Sequence, residues 1–399
     1  MTARRANSPP VYLDYHATTP CDPRVVEAML PFFTEKFGNP GSLSHAYGRE
    51  AAAAVEQARS QIADLIGADP REIVFTSGAT ESNNLAIKGA ARFHRASRDH
   101  IVTLETEHKC VLESARALEA EGVHTTFLPV ARDGLVDLDR LAAAVTDRTV
   151  LVSVMAAHNE IGVIQPLKEI AAIAHGKGAL FHSDAAQAVG KIPLNVEDTG
   201  VDLLSISGHK VYGPKGVGVL YLRRRPRARI TPLFDGGGQE RTMRSGTLPV
   251  PLCVGLGRAA EIAKAEMASE AQRLLALRAR FLNGLKAGMP ELILNGDAGR
   301  RLPGNLNVSV PGVKALDLIN ACPGLALSTG SACTAAEVEP SYVLRALGLG
   351  DEIAASSLRI GLGRFSTATE IDYAIETLIV AARRLKSGPG MTSAAGGTT

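Results

Sequence analysis

Short, almost continuously apolar runs alternate with longer amphipathic stretches along the first two thirds of the chain. The apolar runs, rich in Val, Ile and Leu, lie at 72–76, 100–106, 149–155, 179–184, 201–207 and 218–222. Such runs are typical of strands that are buried on both faces of a sheet. Most of them are separated by stretches with helical periodicity, such as 81–94, 110–122 and 167–178. This alternation predicts an α/β fold with a large, mainly parallel sheet and helices on both faces.

The pattern changes near residue 255, where one long helical stretch covers 255–289. Three further strand-like runs follow at 305–310, 325–329 and 357–363, with helix-like stretches at 340–349 and 368–386. We therefore predict a large domain over 15–260 and a smaller C-terminal α/β domain over 261–387, which also takes in residues 1–14. Residues 388–399 are small and polar, and we expect them to form a flexible tail.

Composition and charge narrow the possible functions. The chain has 399 residues, of which 45% are hydrophobic and 21% charged, as in ordinary soluble proteins. A formal net charge of +2 gives no strong attraction to nucleic acid or anionic lipid, and no apolar stretch is long enough to span a bilayer. We predict no direct nucleic-acid partner and no membrane segment. Five scattered cysteines without zinc spacing favour a reducing compartment, which we take to be the cytoplasm, and no resident metal.

Polar residues follow the predicted strands at the points where each strand ends. In open α/β sheets, ligands bind beyond the carboxyl ends of the strands, so these positions are candidates for a binding site. The residues found there are Ser77, Gly78, Ala79, Thr80, His108, Asn159, Asp184, Gln187, Ser207, His209 and Lys210. Each has an ordinary structural explanation when it is taken alone. His108 and Asp184 suit helix caps, and Asn159 suits a turn.

Taken together, these residue types match the needs of one cofactor. Pyridoxal phosphate requires a lysine for a Schiff base, a carboxylate beside its pyridinium nitrogen and a cup for its phosphate. Small residues at the start of a helix, as in 77–80, are well suited to phosphate. An imidazole can stack on the ring, and a side-chain amide can bind its substituents. The sequence therefore predicts a pyridoxal 5'-phosphate enzyme.

Several long motifs then resemble one family. They include "TSGATESNNLAIKG", "TEHKCVLES", "HSDAAQAVGK", "SISGHKVYGPKGVG", "GGGQERTMRSGT" and "STGSACTAAEVEPSYVLRALGL". They are similar to motifs of the cysteine desulfurases of the NifS/IscS type, which belong to the class V aminotransferase-like group of fold type I pyridoxal phosphate enzymes. The resemblance runs from Val11 to Leu385. It implies conversion of L-cysteine to L-alanine, with the sulfur passed as a persulfide to acceptor proteins for iron–sulfur cluster assembly or tRNA thiolation.

The resemblance also implies roles for individual residues. Lys210 would hold the cofactor, Asp184 would pair with the pyridine nitrogen, and Gln187 would bind the phenolic oxygen. His108 would stack on the ring and assist proton transfer, and Asn159 would contact both cofactor and substrate. The residues that would bind the phosphate are Ala79, Thr80, Ser207 and His209.

Two more residues extend this implied site. Thr247 would reach the phosphate of the other subunit, so that the resemblance implies a homodimer. Arg359 would clamp the substrate carboxylate, a task that suits the two-pronged guanidinium group.

Cys333 is the residue that narrows the range of possible reactions. It lies in "STGSACTAAEVEPSY", a segment of small and polar residues that is typical of a loop. Cys110, Cys253 and Cys322 lie in more apolar surroundings and suit the usual role of cysteine as a small buried side chain. Cys333 would attack the substrate sulfur and carry the persulfide. A transient contact with iron–sulfur material at Cys333 is the one metal contact that we anticipate.

Two other functions stay open from the sequence. One is another enzyme of the same fold, either a selenocysteine lyase or an aminotransferase. The second is a catalytically silent subunit that binds and positions partners. The presence of Lys210, Asp184 and Cys333 together favours the desulfurase. The sequence leaves open whether the acceptor is an iron–sulfur scaffold protein or a tRNA-thiolation protein.

Overall fold

The computed structural model describes residues 9–329 and 340–387. The strands of this part of the chain are β1 (Val11–Tyr12), β2 (Ile73–Thr76), β3 (His100–Leu104), β4 (His124–Leu128), β5 (Thr149–Ser153), β6 (Leu180–Asp184), β7 (Leu203–Ser207), β8 (Gly218–Leu222), β9 (Ile293–Leu294), β10 (Asn305–Ser309), β11 (Leu325–Ala326) and β12 (Ser357–Gly361).

The helices of the same residues are α1 (Pro23–Met29), α2 (Pro31–Thr34), α3 (Ala46–Ile66), α4 (Ala79–His94), α5 (Lys109–Glu119), α6 (Leu138–Ala144), α7 (Leu167–Gly176), α8 (Val196–Thr199), α9 (Val250–Gly288), α10 (Ala315–Asn320), α11 (Tyr342–Ala346), α12 (Asp351–Ala355) and α13 (Ala368–Ser387). Within the described ranges, no helix is both long enough and apolar enough to cross a lipid bilayer.

Seven strands form the main sheet in the order β2-β8-β7-β6-β5-β3-β4. Five of them, β7, β6, β5, β3 and β4, pair in parallel. β8 runs antiparallel to both of its neighbours, β7 and β2, so that β2 again points in the same direction as β7. The prediction of a mainly parallel sheet is confirmed. As a result, the carboxyl ends of five strands lie together along one end of the sheet: those of β2, β3, β5, β6 and β7. β8 begins at the same end.

One strand of this sheet was missed by the sequence analysis. β4 lies at an edge of the sheet, and only its last residue, Leu128, is buried. An edge strand keeps part of its surface in water, so its residues need not be apolar. The sequence "HTTFL" accordingly lacks the continuous apolar run of the central strands.

The C-terminal part of the chain builds two smaller sheets. β12, β10 and β9 form an antiparallel sheet, and β1 pairs in parallel with β11. α9 extends between two hydrophobic clusters: Leu256 packs in the cluster beside the main sheet, and Phe281 packs in the cluster beside β10 and β12. The exact domain boundary at residues 260 and 261 stays a prediction, and the predicted tail 388–399 lies outside the described residues.

The last helix, α13, begins with the hydrogen bonds of a capping box. Glu370 N donates to Thr367 Oγ1 at 3.3 Å, and Thr367 N donates to Glu370 Oε2 at 3.0 Å. Each side chain therefore satisfies a backbone N–H that the first turn of the helix cannot satisfy. The spacing of Thr367 and Glu370, with two residues between them, is the usual sequence pattern of such a box.

The outer edge of β2 is covered by side chains rather than by another strand. Glu240 Oε2 accepts a hydrogen bond from Phe75 N at 2.7 Å, and Arg59 Nη1 donates to Ile73 O at 2.7 Å. Arg59 and Glu240 also form a two-pronged ion pair at 2.8 and 2.9 Å, with both side chains almost completely buried. These contacts hold a turn in which Glu240, Arg241 and Thr242 all have positive φ angles, a conformation that costs free energy in residues with a side chain.

We predict that Glu240→Gln destabilises the protein by about 3 kcal/mol, because it leaves the buried Arg59 charge with only the exposed Glu56 as its counterion. The measurement is the urea concentration at the midpoint of unfolding. Arg280→Gln serves as the control, since Arg280 pairs with Asp372 at an exposed position and its loss should change the midpoint little. An unchanged midpoint for Glu240→Gln would show that the buried pair does not hold this edge.

Candidate active site

A cavity of about 530 Å³ opens at the edge of the main sheet where the parallel strands end. This volume lies in the range of small-molecule binding sites. The residues that line it are His16, Ala17, Ser77, Gly78, Ala79, Thr80, Glu81, His108, Cys110, Met155, Ala157, Asn159, Asp184, Ala186, Gln187, Ser207, His209, Lys210, Lys215, Gly216 and Arg359. The segments that follow β2, β3, β5, β6 and β7 all contribute, and Lys215 and Gly216 come from the turn that leads into β8.

Asp184 is the buried carboxylate of the cavity. It is the last residue of β6, and its Oδ1 accepts a hydrogen bond from Ala186 N at 2.9 Å. Its Oδ2 accepts from Asn83 Nδ2 at 2.7 Å. Because the carboxylate can only accept, this contact fixes which end of the Asn83 amide faces Asp184. The carboxylate is therefore held in one orientation by two donors.

His108 stands at the start of α5 and caps it. Its Nδ1 accepts a hydrogen bond from Cys110 N at 3.2 Å, and Cys110 Sγ lies 3.0 Å from the same nitrogen. Burial lowers the pKa of His108, and the nearby Lys210 charge lowers it further, whereas Asp184 opposes the shift. The ring is therefore neutral near pH 7. Because Nδ1 accepts a hydrogen bond, the proton of the neutral ring lies on Nε2.

Lys210 ends a short 3-10 helix, Gly208–Lys210, that follows β7 directly. Its Nζ donates to the backbone carbonyls of His16 at 2.7 Å and Ala17 at 2.6 Å. The glycines around it allow backbones to approach closely. A Cβ at Gly208 would lie 2.7 Å from Pro214 O, and one at Gly218 would lie 2.6 Å from the Cα of Gly78. A larger residue at Gly208 would push the lysine turn away from Pro214, and one at Gly218 would push β8 away from the turn after β2.

The turn after β2 presents the start of α4 to the cavity. The first backbone N–H groups of a helix have no partner within it, and they carry a partial positive charge, so they attract anions. Gly78 has a φ of +150°, and a Cβ there would meet no atom within 4 Å. Glu81 accepts from Ser77 N at 2.8 Å and from Arg244 Nε at 2.9 Å, which fixes the turn. Ser207, His209 and Lys215 line the same cavity.

His209 lies close to this turn and is held by Thr18. Its Nδ1 is 3.1 Å from Thr18 Oγ1. Burial lowers the pKa of His209 to about 4, and the charges of Lys210 and Lys215 lower it further. The ring is therefore neutral at pH 7 and offers a hydrogen bond rather than a charge.

Arg359 reaches the cavity from β12 in the smaller antiparallel sheet. Its Nη2 donates to Asp14 Oδ1 at 2.9 Å, and its Nη1 donates to Asn159 O at 3.4 Å. Its Nε is buried and has no hydrogen-bond partner among the described residues. A guanidinium held on one side by a carboxylate, with donor capacity left, is suited to bind a second carboxylate from a ligand.

These residues fit pyridoxal phosphate. The cavity combines an amine, a buried carboxylate held by two donors, a neutral imidazole and the start of a helix with an open glycine turn. The unpartnered Nε of Arg359 adds a donor for an anion, and neighbouring cations favour a negatively charged ligand. The chemistry of this donor set is the chemistry that the cofactor requires.

The structure brings most of the predicted residues together. The cavity contains Ala79, Thr80, His108, Asn159, Asp184, Gln187, Ser207, His209, Lys210 and Arg359. Thr247 does not line it and is exposed on the surface of the subunit. Cys333 lies outside the described residues, so its role stays a prediction.

Sequence reasoning missed some residues of the cavity, of which His16 and Cys110 are the most important. His16 follows β1, which has only two residues, so no apolar run marked the strand whose end it follows. The apolar surroundings of Cys110 in the sequence suit a small buried side chain. In the structure, its Sγ also accepts a hydrogen bond from Asn83 Nδ2 at 3.1 Å. Its position two residues after His108, at the start of a helix after a strand, was a signal that could have found it.

Comparison with known proteins identifies the family of this chain. A family model described as class-V aminotransferase matches residues 11–374. The chain is 58% identical over 369 residues to the cysteine desulfurase IscS of Rickettsia massiliae (strain Mtu5), with 92% of this chain and 90% of that protein covered.

Solved structures give the same result. A NifS-like protein superposes with a TM-score of 0.87 at 39% identity, with 93% of this chain and 98% of that chain covered. SspA in complex with cysteine superposes with a TM-score of 0.77 at 38% identity, with 90% and 100% covered. The resemblance inferred from the motifs is thus confirmed, and the chain belongs to the cysteine desulfurase family within the class-V aminotransferases.

Proposed function

We propose that this cysteine desulfurase uses pyridoxal 5'-phosphate in the cavity described above, takes L-cysteine as substrate and receives the sulfur on Cys333. The observation that carries the proposal is the meeting of Lys210, Asp184 and His108 with the α4 turn and Arg359 in one cavity. The solved relative SspA in complex with cysteine supports the choice of substrate.

The cofactor would be held at both of its ends. Lys210 would bind it covalently through Nζ, and Asp184 would pair with the ring nitrogen. Ala79, Thr80, Ser207 and His209 would surround the phosphate. When bound, pyridoxal phosphate supplies a conjugated ring that accepts the electron pair left at the substrate α-carbon. Asp184 supports this role because a carboxylate beside the ring nitrogen keeps that nitrogen protonated.

Lys210 would move a proton of the substrate, and His108 would assist. The Lys210 amine would take the proton from the substrate α-carbon. His108 carries its proton on Nε2, because Nδ1 accepts from Cys110 N at 3.2 Å. That Nε2–H would donate a hydrogen bond to the reacting groups and so assist proton transfer, while the neutral ring keeps its proton.

Arg359 would orient the substrate by its carboxylate. Asp14 and Asn159 O already hold two of its nitrogens, and burial prevents the side chain from adopting other rotamers. A two-pronged contact with a carboxylate fixes direction as well as distance. The contact would fix the direction in which the substrate enters the cavity.

Cys333 would then take the sulfur. Its thiolate attacks the substrate sulfur and forms a new S–S bond, while the Cβ–S bond of the substrate breaks. The carbon keeps the bonding pair and gains a proton, so that L-alanine leaves and a persulfide stays on Cys333. The persulfide would pass to an iron–sulfur scaffold protein or to a tRNA-thiolation protein, and Cys333 would touch iron–sulfur material at most transiently.

Cys110 is the rival sulfur acceptor, since it also lines the cavity, and its environment argues against it. Burial raises the pKa of the Cys110 thiol to about 12, and the nearby Asp184 charge raises it further. A thiol of this kind is almost entirely protonated at neutral pH and is a poor nucleophile. The family resemblance, by contrast, implies that Cys333 is the residue that carries the persulfide.

We further propose a homodimer in which Thr247 contacts the phosphate bound by the other subunit. The exposed position of Thr247, outside the cavity of its own subunit, supports this arrangement. The segment that carries Thr247 follows the turn held by Arg59 and Glu240, which gives it a fixed starting point. The cytoplasmic location stays a prediction from the cysteine pattern.

Lys210→Ala should lose the covalent link to the cofactor and at least about a thousandfold in activity, because both the attachment and the proton acceptor are removed. The measurements are the visible absorbance of the purified protein and the rate of alanine release from L-cysteine. Lys177→Ala, at an exposed site that pairs with Asp147, is the control and should match the wild type. A Lys210→Ala protein with wild-type absorbance would assign the covalent link to another residue.

Cys333→Ser should keep the cofactor and still bind L-cysteine, but alanine release and persulfide labelling should both collapse. A hydroxyl is a much weaker nucleophile toward sulfur than a thiolate, and the other residues of the cavity are unchanged. Cys322→Ala, in the hydrophobic cluster beside α13, is the control and should retain the activity. Normal turnover of Cys333→Ser would contradict the assignment of the sulfur acceptor.

Cys110 should be alkylated at pH 8 about a thousandfold more slowly than an ordinary thiol, because a pKa near 12 leaves few thiolates. Its rate should rise about tenfold for each pH unit between 8 and 10. The measurement is peptide mass spectrometry after timed exposure to iodoacetamide, and the same protein unfolded in urea is the control. Equal rates in the folded and unfolded protein would restore Cys110 as a candidate acceptor.

A further inference from the structure

Lys191 is a partly buried lysine that the proposed chemistry does not use. It lies four residues after Gln187, and its Nζ donates to Gln187 Oε1 at 2.8 Å. Among the described residues, no carboxylate lies within 4 Å of this Nζ to form an ion pair with it. A lysine that loses contact with water without gaining a counterion is unfavourable for the fold.

The contacts of Gln187 settle which way its amide points. Its Nε2 donates to His16 O at 2.9 Å, and its Oε1 accepts from Lys191 at 2.8 Å. The His16 carbonyl can only accept, and the Lys191 ammonium group can only donate. If the amide were flipped, its oxygen would face the carbonyl and its N–H groups would face the lysine. Both contacts would then be repulsive.

The same arrangement fixes the neighbouring imidazole. His16 Nδ1 lies 3.0 Å from Gln187 Oε1, so it carries a proton and donates to that oxygen. Burial lowers the pKa of His16 well below its usual value, and the charge of Lys191 lowers it further, so the ring is neutral. Gln187 Oε1 is therefore occupied by two donors, His16 Nδ1 and Lys191 Nζ.

One N–H of the Gln187 amide is left for the cavity. Nε2 carries two hydrogens, and His16 O is the one acceptor for them among the described residues. Gln187 itself lines the cavity. We propose that Lys191 is a positioning residue that holds the Gln187 amide with an N–H, and not its oxygen, facing the bound cofactor. This inference rests on the proposed function, because the cofactor oxygen supplies the acceptor for that N–H.

The charge of Lys191 makes this role expensive for the fold. The titratable and charged groups around it are His16, Lys210, Glu270 and Arg359, with Tyr15 and Tyr212 in the wall of a small adjoining cavity. Burial lowers the pKa of Lys191 to about 7, and Lys210 and Arg359 lower it further, whereas Glu270 opposes the shift. The unfolded chain thus binds the proton more tightly than the folded protein does.

The first test measures cofactor binding by the full-length protein. Lys191→Met removes the ammonium donor and keeps a side chain of similar length. It should therefore weaken the binding of pyridoxal phosphate about tenfold and shift the visible absorbance of the bound cofactor. Lys191→Gln keeps an N–H donor and should recover part of both. Lys177→Met, at an exposed site, removes one positive charge elsewhere and should change neither.

The second test asks whether Lys191 acts through Gln187. In a Gln187→Ala background, Lys191→Met should cause no further loss of affinity, since the amide that it positions is absent. The same tenfold loss in both backgrounds would overturn the proposal. Equal affinity and absorbance for Lys191→Met and the wild type would also overturn it. A wild-type protein that fails to bind pyridoxal phosphate would instead remove the proposed function, and this inference with it.

A third test measures the stability of the protein, to distinguish a positioning role of Lys191 from a role in supporting the fold. After removal of the cofactor, Lys191→Met should unfold at the same or a higher urea concentration than the wild type at pH 7, because it lacks the buried charge. The difference should shrink as the pH rises toward 10.5, where the unfolded chain also loses the proton. A lower midpoint for Lys191→Met at pH 7 would show that the lysine supports the fold, and would overturn its assignment as a positioning residue.

Discussion

The parallel pairing of the central strands is the constraint on which the site depends. Hydrogen bonding between β3, β5, β6 and β7 forces their carboxyl ends to one edge, whatever the loops contain. Asp184 and Lys210 are more than twenty residues apart in sequence. Asp184 is the last residue of β6, and Lys210 ends the short helix directly after β7, so the pairing of these two buried strands brings them to the same end of the sheet. The antiparallel strand β8 also contributes to the cavity. The turn that leads into β8 lies at the same end of the sheet and adds Lys215 and Gly216 to the lining.

The smaller sheets complete what the main sheet cannot supply. Arg359 lies in β12, and Asp14, its partner at 2.9 Å, lies just after β1. The guanidinium therefore reaches the cavity only because the N-terminal segment and the C-terminal sheet pack together beside the strand ends. His16 arrives by the same route, and its backbone carbonyl accepts from both Lys210 and Gln187.

The parts of this site that the sequence predicts are those governed by local pattern. Asp184 and Lys210 could be found because a run of buried residues marks each strand and the next polar residue marks its end. Glu240 could not, because a glutamate between glutamine and arginine looks exposed until Arg59, about 180 residues away, buries it. His16 and β4 were missed for related reasons: a two-residue strand and a half-exposed edge strand leave no apolar run. Long-range packing, which single-sequence patterns do not contain, decided all three.

The pKa shifts in and around the cavity favour the neutral forms of the titratable groups. Burial lowers the pKa values of His16, His209 and Lys191, and each of them is lowered further by neighbouring positive charges. On the other side, burial raises the pKa of Glu107, whose Oε1 accepts from Met155 N at 2.7 Å, and the Asp184 charge raises it again. The raised pKa favours the neutral form of Glu107 and so reduces the negative charge beside Asp184. Cations that repel each other inside a cavity are stabilised when an anion enters, so this arrangement favours a negatively charged ligand.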